Sequence, residues 1–216
     1  MSGIQQMLTG GTYKPAPPTT IGQAYGGGFY AGKIAVGGGG VATHYLIVAP
    51  KASGENSSRT WGVAGVTTAQ TSVIDGPTNT TVEAALGASY QAAVFCEGLT
   101  IGGYSDWYLP AKNELEVLYY FLKPTTTANN TSWGSNANAV SPEPISTNYT
   151  SGAPAQTSAG IGFRTGETDA FAVSAYYSST ESNATAAWYQ DFDVGAQTTT
   201  NKGNDTYVRA VRRIAV

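Results

Sequence analysis

Cysteine is almost absent: Cys96 stands alone. That excludes an intramolecular disulfide and any multi-cysteine zinc site. Its setting, "YQAAVFCEGL", is apolar and helical in character and fits a buried structural thiol. Histidine is as scarce. His44 lies inside "ATHYLIV", among strand-forming residues, and no G-x-S-x-G turn accompanies it. A serine triad therefore has no frame, and His44 reads as structural. Charge is low too, with 12% of residues charged and a net charge of −3. A nucleic-acid footprint needs a basic face, and only "VRAVRR" (Val208 to Arg213) comes close, so no nucleic-acid partner is expected. No apolar run approaches the roughly 20 residues of a membrane span, so no membrane insertion is expected. The N-terminal "MSGIQQMLTGGTYKPAPP" lacks a basic region followed by a long apolar one, so it does not read as a secretory signal. Work outside a cell would then need another route, such as assembly into a particle released by lysis.

What fills the chain instead is glycine, serine, threonine and asparagine, with 41% hydrophobic residues. Its 216 residues suffice to bury a core without staples. This uncharged-polar, turn-rich composition suits extracellular and virion β-rich proteins. Residues 1–20 read as an arm, with "IQQML" as a short apolar hook and a Gly/Pro/Thr stretch behind it. Residues 21–216 read as a single domain with a first half (21–100) and a motif-bearing half (101–216). "GGFYAGKIAV" and "ATHYLIVAP" are strand candidates around the "GGGG" turn.

A helix is expected over residues 80–98, capped by Thr80 or Thr81, with Glu83 in its first turn and Val82, Leu86, Tyr90 and Ala93 on its core stripe. A second is expected over 110–122, with Pro110 at its first position, Leu115, Leu118, Tyr119 and Leu122 on one stripe, and Pro124 at its end. Residues 125–170 are a Thr/Asn/Ser/Gly/Pro stretch, expected to be functional or an excursion rather than a compact core element. Near the C-terminus "AAWYQDFDV" alternates. Trp188, Gln190, Phe192 and Val194 are expected inward, and Tyr189, Asp191 and Asp193 outward. "TYVRAVRRI" carries Arg on both faces, which suggests a bulge near Ala210–Val211.

Several motifs invite a chemical reading and fail it. "GGFYAGK" (Gly27 to Lys33) fits G-x-x-x-x-G-K, but Ile34 stands where magnesium needs a hydroxyl, and Phe29 and Tyr30 crowd the phosphate cradle. Asp191, Asp193, Asn204 and Asp205 could offer oxygens to calcium, but no EF-hand pattern exists, and plain solvated surface is the simpler reading. A glycan hydrolase would need two carboxylates across a cleft, for instance Asp169 or Glu181 near Asp191. No nucleophile–base set is visible, so no catalytic residue, metal or cofactor is expected.

Three segments occur in order: "GGYSDWYLPAKNELEVLYYFL", then "YYSSTES", then "AWYQDFDVGAQ…YVRAVRR". Together they resemble the C-type-lectin-like domains of phage tail and fibre proteins and bacterial adhesins. The family pattern is W-x-L-P-x-x-x-E-L, Y/W-S-S-T, A-W…F…G and V-R-x-V-R. The resemblance implies an α+β, C-type-lectin-like fold with two helices and a mostly antiparallel twisted sheet. Calcium-dependent relatives use E-P-N or Q-P-D; here Glu143-Pro144 is followed by Ile145, so that ligand set does not carry over. In some members a retroelement rewrites Asn codons of the final segment. Ala186, Tyr189, Asp191, Asp193, Val194, Ala196 and Thr198 to Thr200 are types reachable that way, set between Trp188, Phe192 and Gly195. An ordinary polar turn is the competing reading.

The resemblance further implies a phage virion protein: fibre, tail tip or capsid decoration. Its arm would join other virion proteins, and it would be a homotrimer on the particle surface. Its ligand would be a host cell-surface glycan or protein. The receptor-binding candidates are Tyr189, Asp191, Asp193, Gln197, Thr198, Thr199, Thr200, Asn201 and Asn204. A particle-stabilising protein that binds no receptor, and a glycan-acting enzyme, are the alternatives.

Overall fold

The computed structural model describes residues 16–140 and 147–216. Most of the arm expected over 1–20, and Glu143-Pro144-Ile145, lie outside them. The fold is α+β, with four helices and two curled, mostly antiparallel sheets among the described residues. The first sheet has the order β1-β2-β3-β9: Ala24–Tyr25, Gly28–Ile34, His44–Val48 and Val211–Ala215. The second has the order β4-β8-β5-β6-β7: Glu55–Thr60, Asp205–Arg209, Ala175–Glu181, Ala186–Asp191 and Gln197–Asn201. Its one parallel contact joins β5 to β8 at Tyr176 and Tyr207. The expected bulge at Ala210–Val211 is instead a change of sheet. Ala210 donates its N–H to the Gly54 carbonyl, accepts from Ala49, and passes the chain from β8 in one sheet to β9 in the other.

The helices are α1 (Lys51–Gly54), α2 (Gly76–Ala85), α3 (Gln91–Glu97) and α4 (Lys112–Leu122). The two-helix expectation therefore needs correction. The helix read over 80–98 is split, because Gly87 turns the chain at φ +104° after Leu86. It also starts earlier than Thr80: Asp75 is the cap, accepting from the Thr78 N–H, and Pro77 occupies the first turn. The expected stripe is half wrong. Tyr90 and Ala93 are buried, while Val82 and Leu86 face outward and Glu83 lies inside.

The helix read over 110–122 begins two residues later, with Ala111 as its cap residue and Pro110 just before it. Leu115, Leu118, Tyr119 and Leu122 are all buried, as their spacing requires. Instead of a hydroxyl cap, Glu114 accepts from the Ala111 N–H at 2.9 Å and from the Tyr108 hydroxyl at 2.7 Å. α4 lies against β2 at Gly32, where φ is +126° and an added Cβ would sit 2.8 Å from the Phe121 ring.

Two apolar clusters flank the second sheet. One gathers α4 residues with Leu46, Val48, Tyr176, Phe171 and Phe192. The other gathers Trp61, Tyr90, Cys96, Trp107, Tyr177 and Val208. The long 125–170 stretch is not a mere excursion. It contains no helix or strand among its described residues, yet Tyr149 and Phe163 are buried in the first cluster. Asn129 ties it together, donating to the Thr150 and Pro154 carbonyls and accepting from the Tyr119 hydroxyl.

The arginines of "VRAVRR" are spent inside the fold. Arg209 is buried and pairs with Glu55 at 3.0 Å, Arg212 grips Asp106 with two bonds of 2.7 and 2.8 Å, and Arg213 meets Asp75 at 3.1 Å. Each clasp joins segments distant in sequence, which is why the run forms no basic face.

Candidate site on the terminal hairpin

The β6–β7 hairpin forms one edge of the second sheet. Its register pairs Ala187 with Thr200, Trp188 with Thr199, Tyr189 with Thr198 and Gln190 with Gln197. Directly paired residues share a face. Tyr189, Thr198 and Thr200 therefore stand together on one side, and Trp188 and Thr199 on the other.

Neither side is freely solvated, which corrects the simple in-and-out reading of this strand. On the Trp188 side the start of α4 presses down: the Lys112 ammonium lies 4.1 Å from the indole centroid. Lys112 also accepts at its carbonyl from Gln197 Nε2 (2.9 Å) and donates its N–H to Thr180 (3.0 Å). Trp188 is thus half-exposed, and so is Val194, whereas Gln190 and Phe192 are buried as expected. On the other side Tyr189 packs against the second cluster and is only partly exposed. Burial first, then the Asp191 charge, push its phenol above the ordinary range.

Both ends of the hairpin are fixed. At the tip, Asp191 accepts from the Asp193 N–H (2.7 Å), and the N–H groups of Asp191 and Gly195 bond to Ala196 and Asp191 carbonyls. Asn130 donates to the Val194 carbonyl and Thr125 to that of Asp193, so the long loop props the tip. Gly195 has φ +76°, and a Cβ there would sit 2.4 Å from the Tyr119 ring. At the other end Lys202 is buried. Its ammonium bonds to the Val66 carbonyl and to Glu181, and lies 4.7 Å from the Trp61 ring centroid. The Tyr177 hydroxyl donates to the Asn201 and Asn204 carbonyls.

The expected contact residues therefore divide. Thr198, Thr199, Thr200, Tyr189, Asp191 and Asp193 are half-exposed along the hairpin, and Asn201 and Asn204 are exposed at its base. Asn204 bonds to Thr200, and Asn201 accepts from Gly203. Gln197 is buried and bonded to α4, out of reach of a ligand. The residues that hold the hairpin, Lys112, Glu181 and Lys202, were not anticipated. The available signal was Lys202 itself, an isolated charge in an uncharged stretch.

Asp169 and Glu181 are both engaged, the first with the Lys51 N–H and Arg209, the second with Lys202 and the Thr67–Thr68 turn. His44 is half-buried, its Nδ1 3.0 Å from the Thr43 hydroxyl, and burial followed by the Arg213 charge lowers its pKa. Cys96 is buried and its thiol is pushed strongly upward, by burial first. Among the described residues no three His, Cys, Asp or Glu side chains gather as a metal site, and no helix is long and apolar enough to cross a membrane.

A family model described as the Lcl C-terminal domain matches residues 56–212. The match takes in β4 to β8, all of α2 to α4 and the whole hairpin, leaving β1 to β3 before it. The chain belongs to this family of C-type-lectin-like domains, which is associated with phage and adhesin proteins. No curated protein matches the chain.

Proposed function

We propose, from this family membership, that the protein is a non-enzymatic phage virion component that displays the β6–β7 hairpin to a host cell surface. The observation that carries the reading is the distribution of exposure. Ala186, Tyr189, Asp191, Asp193, Val194, Ala196 and Thr198 to Thr200 are all half-exposed, while Phe192, Gly195, Gln197 and Lys202 between and beside them are buried. Apart from Tyr189, which packs on the second cluster, and Asp191, which bonds the tip, such a row accepts changes of side chain without loss of frame, as a recognition surface requires. Tyr189 offers area and a hydroxyl at low entropy cost, and the threonines offer adaptable hydrogen bonding to a glycan or protein. In this reading residues 1–20 join the particle and the assembly is a homotrimer, by analogy with phage fibres.

Purified wild type and a variant with Tyr189, Asp191 and Asp193 changed to Ala and Thr198 to Thr200 to Ser are compared for binding to candidate bacterial cells. Circular dichroism checks the fold. The expected outcome is binding by wild type alone. Equal binding by both moves recognition away from the hairpin. Binding by neither to any host tried favours a particle-stabilising protein without a receptor.

A further inference from the structure

The most enclosed ionic site lies behind the hairpin. Lys202 and Glu181 are in contact, with side chains 0% and 1% exposed. Two full charges are seldom placed so deep, because desolvating them costs several kcal/mol each. The surroundings are specific. The Val66 carbonyl accepts from Lys202 Nζ at 2.8 Å and orients the amine, and the Trp61 ring closes over it. Glu181 Oε2 receives the Thr67 hydroxyl (3.1 Å), the Thr68 N–H (3.1 Å) and the Thr68 hydroxyl (3.2 Å). A second carboxyl, Glu83, is fully buried, and neither of its oxygens has a hydrogen-bond partner among the described residues. Burial first, and then the Glu181 charge, push its pKa well above the usual carboxylate range.

We propose that Lys202 and Glu181 condense to an amide, an intramolecular isopeptide bond that ties the β7–β8 turn to the end of β5. The ion pair is the starting state. Lys202 Nζ passes a proton to the carboxyl and adds to Glu181 Cδ. The new C–N bond forms as the C–Oε1 bond breaks, and Oε1 leaves as water with two protons that were on nitrogen. No oxidant or reductant is needed. Charge that develops on Oε2 meets the Thr67 and Thr68 hydroxyls and the Thr68 N–H, which Oε2 shares with Oε1 (3.0 Å), as in an oxyanion site. Groups held in contact in a dry site gain effective concentrations on the order of 10⁵ M or more, which favours condensation over hydrolysis. The product also removes both buried charges. This inference does not depend on the receptor reading.

Mass spectrometry of the denatured, trypsin-digested full chain tests it. Glu181 and Lys202 share the peptide from Thr165 to Lys202, and trypsin cuts after Lys202 only if its amine is free. The expected result is no cut there, and a peptide running from Thr165 to Arg209 that is lighter by one water. Full cleavage after Lys202, with peptides at their sequence masses even after long incubation at neutral pH, overturns the proposal and leaves an ion pair.

Discussion

At Gly195 a single hydrogen atom decides whether the hairpin tip can lie on the core. The residue adopts φ +76°, and the Tyr119 ring occupies the space a Cβ would need. Tyr119 cannot retreat, since it packs edge-on to Phe192 at 5.6 Å and its hydroxyl is held by Asn129. Gly195→Ala is therefore expected to cost about 2 kcal/mol or more, from the left-handed backbone and the collision together. Chemical denaturation measures it, and a loss below about 0.5 kcal/mol would contradict this account of the tip. Lys202 makes a similar point. Read as a sequence, "TTTNKGND" has no anchor, but its one lysine proves to be the anchor, because Glu181 lies far away in sequence and next to it in space.

At the scale of elements, α4 shows how a helix can be held by groups its own sequence does not advertise. Glu114 is fully buried at its first turn, between Ala111, Tyr108 and Arg213, and burial, partly offset by Arg213, raises its pKa to about 7. A carboxyl with a raised folded pKa binds its proton more tightly when folded. Its contribution is complete below the unfolded value near 4.5 and is lost as pH rises toward 7. Wild type is expected to lose about 3 kcal/mol relative to Glu114→Gln between pH 4.5 and pH 7, measured by urea unfolding at each pH. Parallel pH profiles for the two proteins would show that Glu114 does not titrate there.

The same helix was the most legible element in the sequence, because Pro110, the leucine stripe and Pro124 all agree on where it lies. α2 and α3 were legible as helical but not in their orientation. Val82 and Leu86 look like core, yet the inner face holds Asn79, Thr80 and Glu83, whose bonds or charge relations reach β5 and the loop before α4. Periodicity marks an apolar face only where the facing surface is apolar too. The candidate hairpin was legible as two strands around a polar turn. What could not be read was the covering of both its faces, since Lys112, Tyr177 and Trp61 reach it through tertiary contacts alone.

At the scale of the whole molecule, the buried arginines leave little charge to steer association, and the outer faces of α2 and α3 show Val82, Leu86 and Val94 to solvent. The proposed homotrimer is tested at this scale. Light scattering on the full chain is expected to give three times the 22.4 kDa chain mass. A monomer at micromolar concentration would remove the trimer from the proposed function while leaving the hairpin reading to its own test.

The passage of the chain through Ala210 has a consequence for synthesis. β8 lies between β4 and β5, and β9 completes the first sheet, yet these two strands follow every other described element in the sequence. A ribosome therefore releases β4 long before the neighbour that will pair with it exists. The nascent protein must carry β3, β4 and β5 each with an unpaired edge until the segment holding Arg209, Arg212 and Arg213 leaves the exit tunnel. Only then can both sheets close, and they close together.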